Sequence, residues 1–120
     1  MRRTRLNPVS KKRQALNIHR RSFVKRILDE RLLCEARIAG CSMMPSDVHE
    51  ICSRGRGGSI IDDENVLALC RPCHKFVTVN PAWAAENGFL LHANPTDADI
   101  RAAERARFAF VFGVGDIDDD

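Results

Sequence analysis

The sequence predicts a small α+β fold: a basic helix, then two short strands and a helix gathered around cysteines, then further short helices. Three observations predict it. Apolar residues recur at helical spacing between Ala15 and Leu33. Two short runs of β-formers, residues 46–52 and 65–69, are separated by a glycine-rich stretch. Four of the five cysteines fall in two pairs, Cys34/Cys41 and Cys70/Cys73, which bracket both runs.

The elements follow in order. Residues 1–14 (MRRTRLNPVSKKRQ) have no apolar periodicity and are expected to form a flexible basic arm. From Ala15 to Leu33, Ile27 follows Phe23 by four and Leu28 follows Val24 by four. Leu32 continues that stripe, and Arg20, Arg21, Lys25 and Arg26 fill the rest of the surface. Cys34–Pro45 reads as a loop, and Ser46–Cys52 as a first strand. Residues 53–59 (SRGRGGS) form an open turn whose glycines permit positive φ. After an acidic turn at Asp62–Glu64, Asn65–Leu69 forms the second strand, and Arg71–Val79 a helix that must stop before Pro81. Pro81 opens another short helix closed by Gly88. Thr96 and Asp99 form a capping box for a last helix to about Arg107. Phe108–Phe112 then packs back on the domain, and 113–120 is an acidic tail.

At 120 residues the chain is expected to be one domain with tails: arm 1–14, central domain 15–92, and C-terminal helix and tail 93–120. With 44% hydrophobic residues, no Tyr, one Trp and six Phe, its core is modest and needs a staple. The net charge of +3 hides an asymmetry. Residues 1–31 carry eleven basic against two acidic side chains, a balance of +9, and residues 32–120 carry eight against fourteen, a balance of −6. A basic arm on an acidic body points to a polyanion partner, with nucleic acid the default. No apolar h-region follows the charged N-terminus and no apolar run approaches the ~20 residues of a membrane span. The expectation is a cytoplasmic protein without a membrane partner.

In a reducing cytosol, paired cysteines hold metal more often than they form disulfides. Cys70-x2-Cys73 places two thiolates on one tight turn at the separation that tetrahedral Zn²⁺ needs, and Cys34-x6-Cys41 supplies a looser second knuckle. Zinc held by four cysteines is structural, with no open coordination position. Cys52 is left over and reads as a small core residue.

Between and into these pairs runs DVHEICSRGRGGSIIDDENVLALCRPCH, residues 47–74. His49-Glu50, Arg54, Gly57-Gly58, Asn65-Val66 and Leu69-Cys70-Arg71-Pro72-Cys73-His74 stand in an order that resembles the HNH (ββα-metal) endonuclease family. The resemblance covers residues 34 to about 80. It is greatest to the compact bacteriophage and prophage type, to which Asn80-Pro81-Ala82-Trp83 and Gly88 also look similar. It implies a ββα-metal domain that hydrolyses DNA phosphodiester bonds with Mg²⁺ or another divalent cation, in the cytoplasm of a bacterial host. It also implies a possible partner in the phage terminase or another packaging protein. His74 matches the family's final metal-ligating histidine, Asn65 the loop-ordering asparagine, and Arg54 and Arg56 flank the phosphate path. Arg20, Arg21 and Lys25 are further candidates for the DNA backbone.

The first strand departs from the family pattern. Counting back four from Arg54 places Glu50, not a histidine, at the general-base position, and His49 at a metal-ligand position. In one reading His49 and His74 hold the metal and Glu50 is the base. In the other, His49 is the base and Asp47 or Glu50 a ligand, which strand alternation favours because Asp47 and His49 share a face. In a third, the site has decayed and only binds DNA. A zinc-stapled DNA-binding module or packaging accessory without catalysis is the competing function. His19 and His92 read as surface residues without partners, Trp83 as a core anchor, and Asp62, Asp63 and Glu64 as a solvated turn.

Overall fold

The structure, a computed structural model, describes residues 10–113. The expected arm at residues 1–9 and the tail at 114–120 lie outside the described residues.

Helix α1 spans Lys11–Glu30, so residues 11–14 belong to the helix and not to the arm. Ser10 makes the difference, because its hydroxyl accepts the Arg13 N–H at 3.1 Å and caps the first turn. The helix also ends before Leu33. Arg31 turns extended, and its guanidinium donates to the carbonyls of Val66 (2.8 Å) and Asp63 (2.9 Å), which draws the chain off the helix axis. Phe23 and Ile27 carry the buried stripe, flanked by Val24 and Leu28, whereas Leu32 and Leu33 are exposed beyond it.

Strands β1 (Asp47–Glu50) and β2 (Val66–Leu69) form an antiparallel pair with Asp47 opposite Leu69 and His49 opposite Leu67. Both are shorter than the sequence suggested, since Asn65 and Cys52 are drawn into loop contacts described below. Alternation sorts the hairpin into two faces. Val48, Val66 and Ala68 pack with Phe23 and Ile27 of α1. Ile51, Leu67 and Leu69 join the other core, with Cys34, Cys70, Cys73, Val77, Ala84 and Phe89. The outer edge of β2 is covered by Glu35, whose N–H donates to the Ala68 carbonyl at 2.9 Å.

Helices α2 (Arg71–Val79), α3 (Pro81–Glu86) and α4 (Asp97–Phe112) complete the second layer. The Thr96/Asp99 capping box opens α4 as expected. The helix runs past Arg107 to Phe112, because the phenylalanines keep its period: Phe110 meets Trp83 and Phe89 edge-on at 5.1 and 6.0 Å. Trp83 is the anchor of this layer, stacked on Phe89 at 5.6 Å and edge-on to Phe76 at 5.0 Å. Among the described residues, no helix is long and apolar enough to cross a membrane.

Candidate functional site

Cys34, Cys41, Cys70 and Cys73 converge, with their sulfurs all within 4.8 Å of one another. A tetrahedron with Zn–S bonds of about 2.3 Å has sulfurs about 3.8 Å apart, and Cys41 Sγ and Cys70 Sγ are separated by 3.7 Å. The local backbone serves the sulfurs: the Met43 N–H points at Cys41 Sγ (3.2 Å) and the Ser42 N–H at Cys70 Sγ (3.4 Å). Burial opposes ionisation of Cys70, but hydrogen bonds from Cys73 and Ser42 outweigh it and bring the thiol to about 6. Burial and the neighbouring sulfurs push Cys73 up. Such a group accepts one negative charge readily and resists the next, and a cation at its centre relieves that conflict. The four cysteines can thus hold a metal ion such as zinc. Cys52 lies apart, its sulfur directed at the carbonyls of Arg56 (3.4 Å) and His92 (3.8 Å).

A second cluster forms where β1 faces α2. His74, one turn into α2, places Nδ1 2.9 Å from Asp47 Oδ2. His49 projects from the same face of β1, its ring 5.4 Å from that of His74. Arg71, the first residue of α2, grips the Asp47 carboxylate with Nε at 2.9 Å and Nη2 at 3.1 Å. Burial tends to raise the Asp47 carboxyl, yet the bonds from Arg71 and His74 outweigh it and hold it below the usual range. The carboxylate accepts, so His74 donates from Nδ1; a cation taking the place of that proton would find the two atoms close to the ~3.0 Å that neighbouring ligands at about 2.1 Å and right angles require.

His49 is buried, 8% exposed, and Nε2 lies 2.7 Å from the Phe89 carbonyl. A carbonyl only accepts, so the neutral ring carries its proton on Nε2 and its lone pair on Nδ1. Burial lowers the pKa of His49; the Phe89 bond offsets part of this, and the fields of His74 and Arg107 lower it further. Neutral imidazole is the form that can accept a proton.

Glu50 points the other way. It forms an ion pair with Arg20 at 2.8 Å, and neither side chain is freely exposed. Arg20 also donates to the carbonyls of Ile60 and Val48. Arg20 therefore braces α1 against the hairpin instead of offering itself to a phosphate, and the structure does not bring Glu50 to His49 and His74. Arg21 and Lys25 lie exposed on α1, Lys25 paired with Asp29 at 3.0 Å. Arg54 and Arg56 sit exposed on a short 3₁₀ turn, Arg54–Arg56, with Arg56 donating to the Leu91 carbonyl at 3.2 Å.

Asn65 orders the loop that carries them. Its side-chain NH₂ donates to the carbonyls of Cys52 and Ser59, both at 2.8 Å, and its oxygen accepts the Cys52 N–H at 2.9 Å. Gly58 allows the closure: a Cβ there would stand 1.7 Å from the Cys52 carbonyl oxygen. His92, expected to lack a partner, meets Asp99 at 3.1 Å. Sequence reasoning missed Arg71 and the Phe89 carbonyl. Strand alternation had already singled out Asp47, but nothing in the pattern signalled a backbone acceptor forty residues from His49.

Compared with known proteins, the chain matches no family model, no curated sequence and no solved structure.

Proposed function

We propose that the chain is a metal-dependent endonuclease that hydrolyses DNA phosphodiester bonds, of the HNH kind that residues 47–74 resemble. One observation carries the proposal: Asp47, His49 and His74 meet on one face of the hairpin–helix unit, with Asp47 Oδ2 and His74 Nδ1 2.9 Å apart, and none belongs to the four-cysteine group. The four cysteines would hold a structural Zn²⁺, tying the loop before β1 to the start of α2. Asp47 and His74 would hold Mg²⁺ or a similar divalent cation, which when bound would neutralise charge on the scissile phosphate and stabilise the leaving 3′ oxygen.

His49 is the general base: its Nδ1 lone pair takes a proton from the attacking water, while the Phe89 carbonyl keeps the ring from turning. Glu50, paired with Arg20 on the far face, takes no part in proton transfer. Asn65 holds the loop on which Arg54 and Arg56 are exposed, and those guanidiniums engage the DNA backbone. Arg21 and Lys25 extend the cationic surface along α1. Work beside a phage terminase, in the cytoplasm of a bacterial host, is the biological setting the resemblance suggests.

Plasmid cleavage by the zinc-loaded protein tests the proposal. Nicks or breaks should appear with Mg²⁺ or Mn²⁺ and stop with EDTA. DNA binding without cutting under all metals would replace the endonuclease by a zinc-stapled binding module.

A further inference from the structure

The joint between α3 and α4 lies directly behind His49. Gly88 turns there with φ +84°, and a Cβ on it would stand 2.1 Å from the Ala103 carbonyl oxygen and 3.0 Å from Arg107 Cγ, so the joint is pressed against α4. Arg107, half-buried, donates from Nη1 to the Gly88 carbonyl. The next carbonyl, that of Phe89, is the acceptor for His49 Nε2. Phe89 itself is fully buried; its N–H donates to Ala84 at 2.7 Å, and two residues on, the Leu91 N–H donates to Ile51 at 2.8 Å.

We propose that Arg107 is a positioning residue for His49: by holding the Gly88 carbonyl it fixes the Gly88–Phe89 peptide, so that the Phe89 carbonyl keeps the His49 proton on Nε2 and the lone pair on Nδ1. The physical ground is that a histidine's tautomer is set by the hydrogen bond its other nitrogen makes. Rotation of the Gly88–Phe89 peptide would break the Arg107 bond to the Gly88 carbonyl and the Phe89 N–H bond to Ala84, and so release the Phe89 backbone that carries the acceptor of His49. Burial lowers the pKa of the guanidinium, and the fields of Glu104 and Glu35 offset part of that cost. α4 is thereby part of the catalytic machinery and not an appendage to it. The inference rests on His49 being the base of the reaction proposed above.

The test uses the full-length, zinc-loaded, ¹⁵N-labelled protein and the variants Arg107→Gln and Arg107→Lys. Long-range ¹H–¹⁵N spectra report which nitrogen of His49 is protonated, independently of any cleavage. Wild type should show the Nε2–H form alone. Arg107→Gln should show a mixture of tautomers and cut about 10²-fold more slowly, as expected for a misplaced catalytic group, with DNA affinity unchanged. Arg107→Lys should recover part of both, and decides the matter if the glutamine variant does not fold. A His49 that stays Nε2–H in variants that lose only thermal stability would overturn the proposal. A tautomer shift in a protein whose wild type never cuts would uphold the positioning role and overturn the endonuclease reading instead.

Discussion

Asn65→Ala removes the three hydrogen bonds that close the 52–59 loop: two donated to the carbonyls of Cys52 and Ser59, and one accepted from the Cys52 N–H. At about 0.5–1.5 kcal/mol each, and with the side chain only half-buried, their loss should cost about 2–4 kcal/mol, spent largely on opening the loop. Asn65→Asp is the informative control. It keeps the acceptor for the Cys52 N–H, loses both donors, and sets a carboxylate against two carbonyl oxygens, so it should be no milder than the alanine variant. Urea denaturation of the zinc-loaded protein measures the stability. Trypsin measures the loop: the side chains of Arg54 and Arg56 are exposed, but their backbone is tied by hydrogen bonds to Ser53 and Arg54 and has to open before it can be cut. Both variants should be cut at Arg54 or Arg56 many times faster than wild type. An Asn65→Ala protein with unchanged stability and unchanged tryptic resistance would refute the assignment of Asn65 as the loop's organiser.

Three further outcomes are expected. Cys73→Ala should leave the chain unable to hold zinc and largely unfolded, given apparent zinc-site energies of about 10–16 kcal/mol; circular dichroism and a zinc count would check this, and a well-folded, metal-free variant would contradict it. His49→Ala should slow cleavage by about 10²–10⁴-fold, while Glu50→Gln, which disturbs only the pair with Arg20, should leave the rate near that of wild type; single-turnover cleavage separates them, and the reverse order would make Glu50 the base. Hydrogen bonds from the backbone and hydroxyl of Thr96 hold Asp99 below the ordinary carboxylate range. The stability it gives α4 should be present above about pH 3.9 and lost as the pH falls through the depressed value. Asp99→Asn should lack that acid step in helix content, and overlapping wild-type and variant curves would exclude the cap.

Much of this arrangement was legible from residue types and spacing. The cysteine pairs named their own cluster, because few other uses exist for four such residues in a small core. Alternation along Asp47–Glu50 separates His49 from Glu50 on residue spacing alone, and the hairpin places the two on opposite faces. The capping box at Thr96 is a local signal, contained in the four residues Thr96–Asp99. The remainder depended on contacts distant in sequence. Arg20 looked like one more cation on a basic helix, yet three acceptors on the hairpin claim it. The end of α1 is not legible locally, because Arg31 is drawn away by carbonyls more than thirty residues on. The reach of α4 to Phe112 is not legible locally, because Phe110 works through Trp83 and Phe89, which only the folded chain brings together.

The central claim, that Asp47 and His74 jointly hold a catalytic cation apart from the cysteine group, is tested most directly by Mn²⁺ titration followed by electron paramagnetic resonance. The protein should be loaded with one equivalent of zinc and compared as wild type, Asp47→Asn and His74→Ala, with plasmid cleavage read on the same samples. Wild type should bind one Mn²⁺ beyond its zinc and cut DNA, and each variant should keep its zinc and fold while losing both the Mn²⁺ and the cutting. Variants that bind Mn²⁺ and cleave as wild type does would contradict the claim.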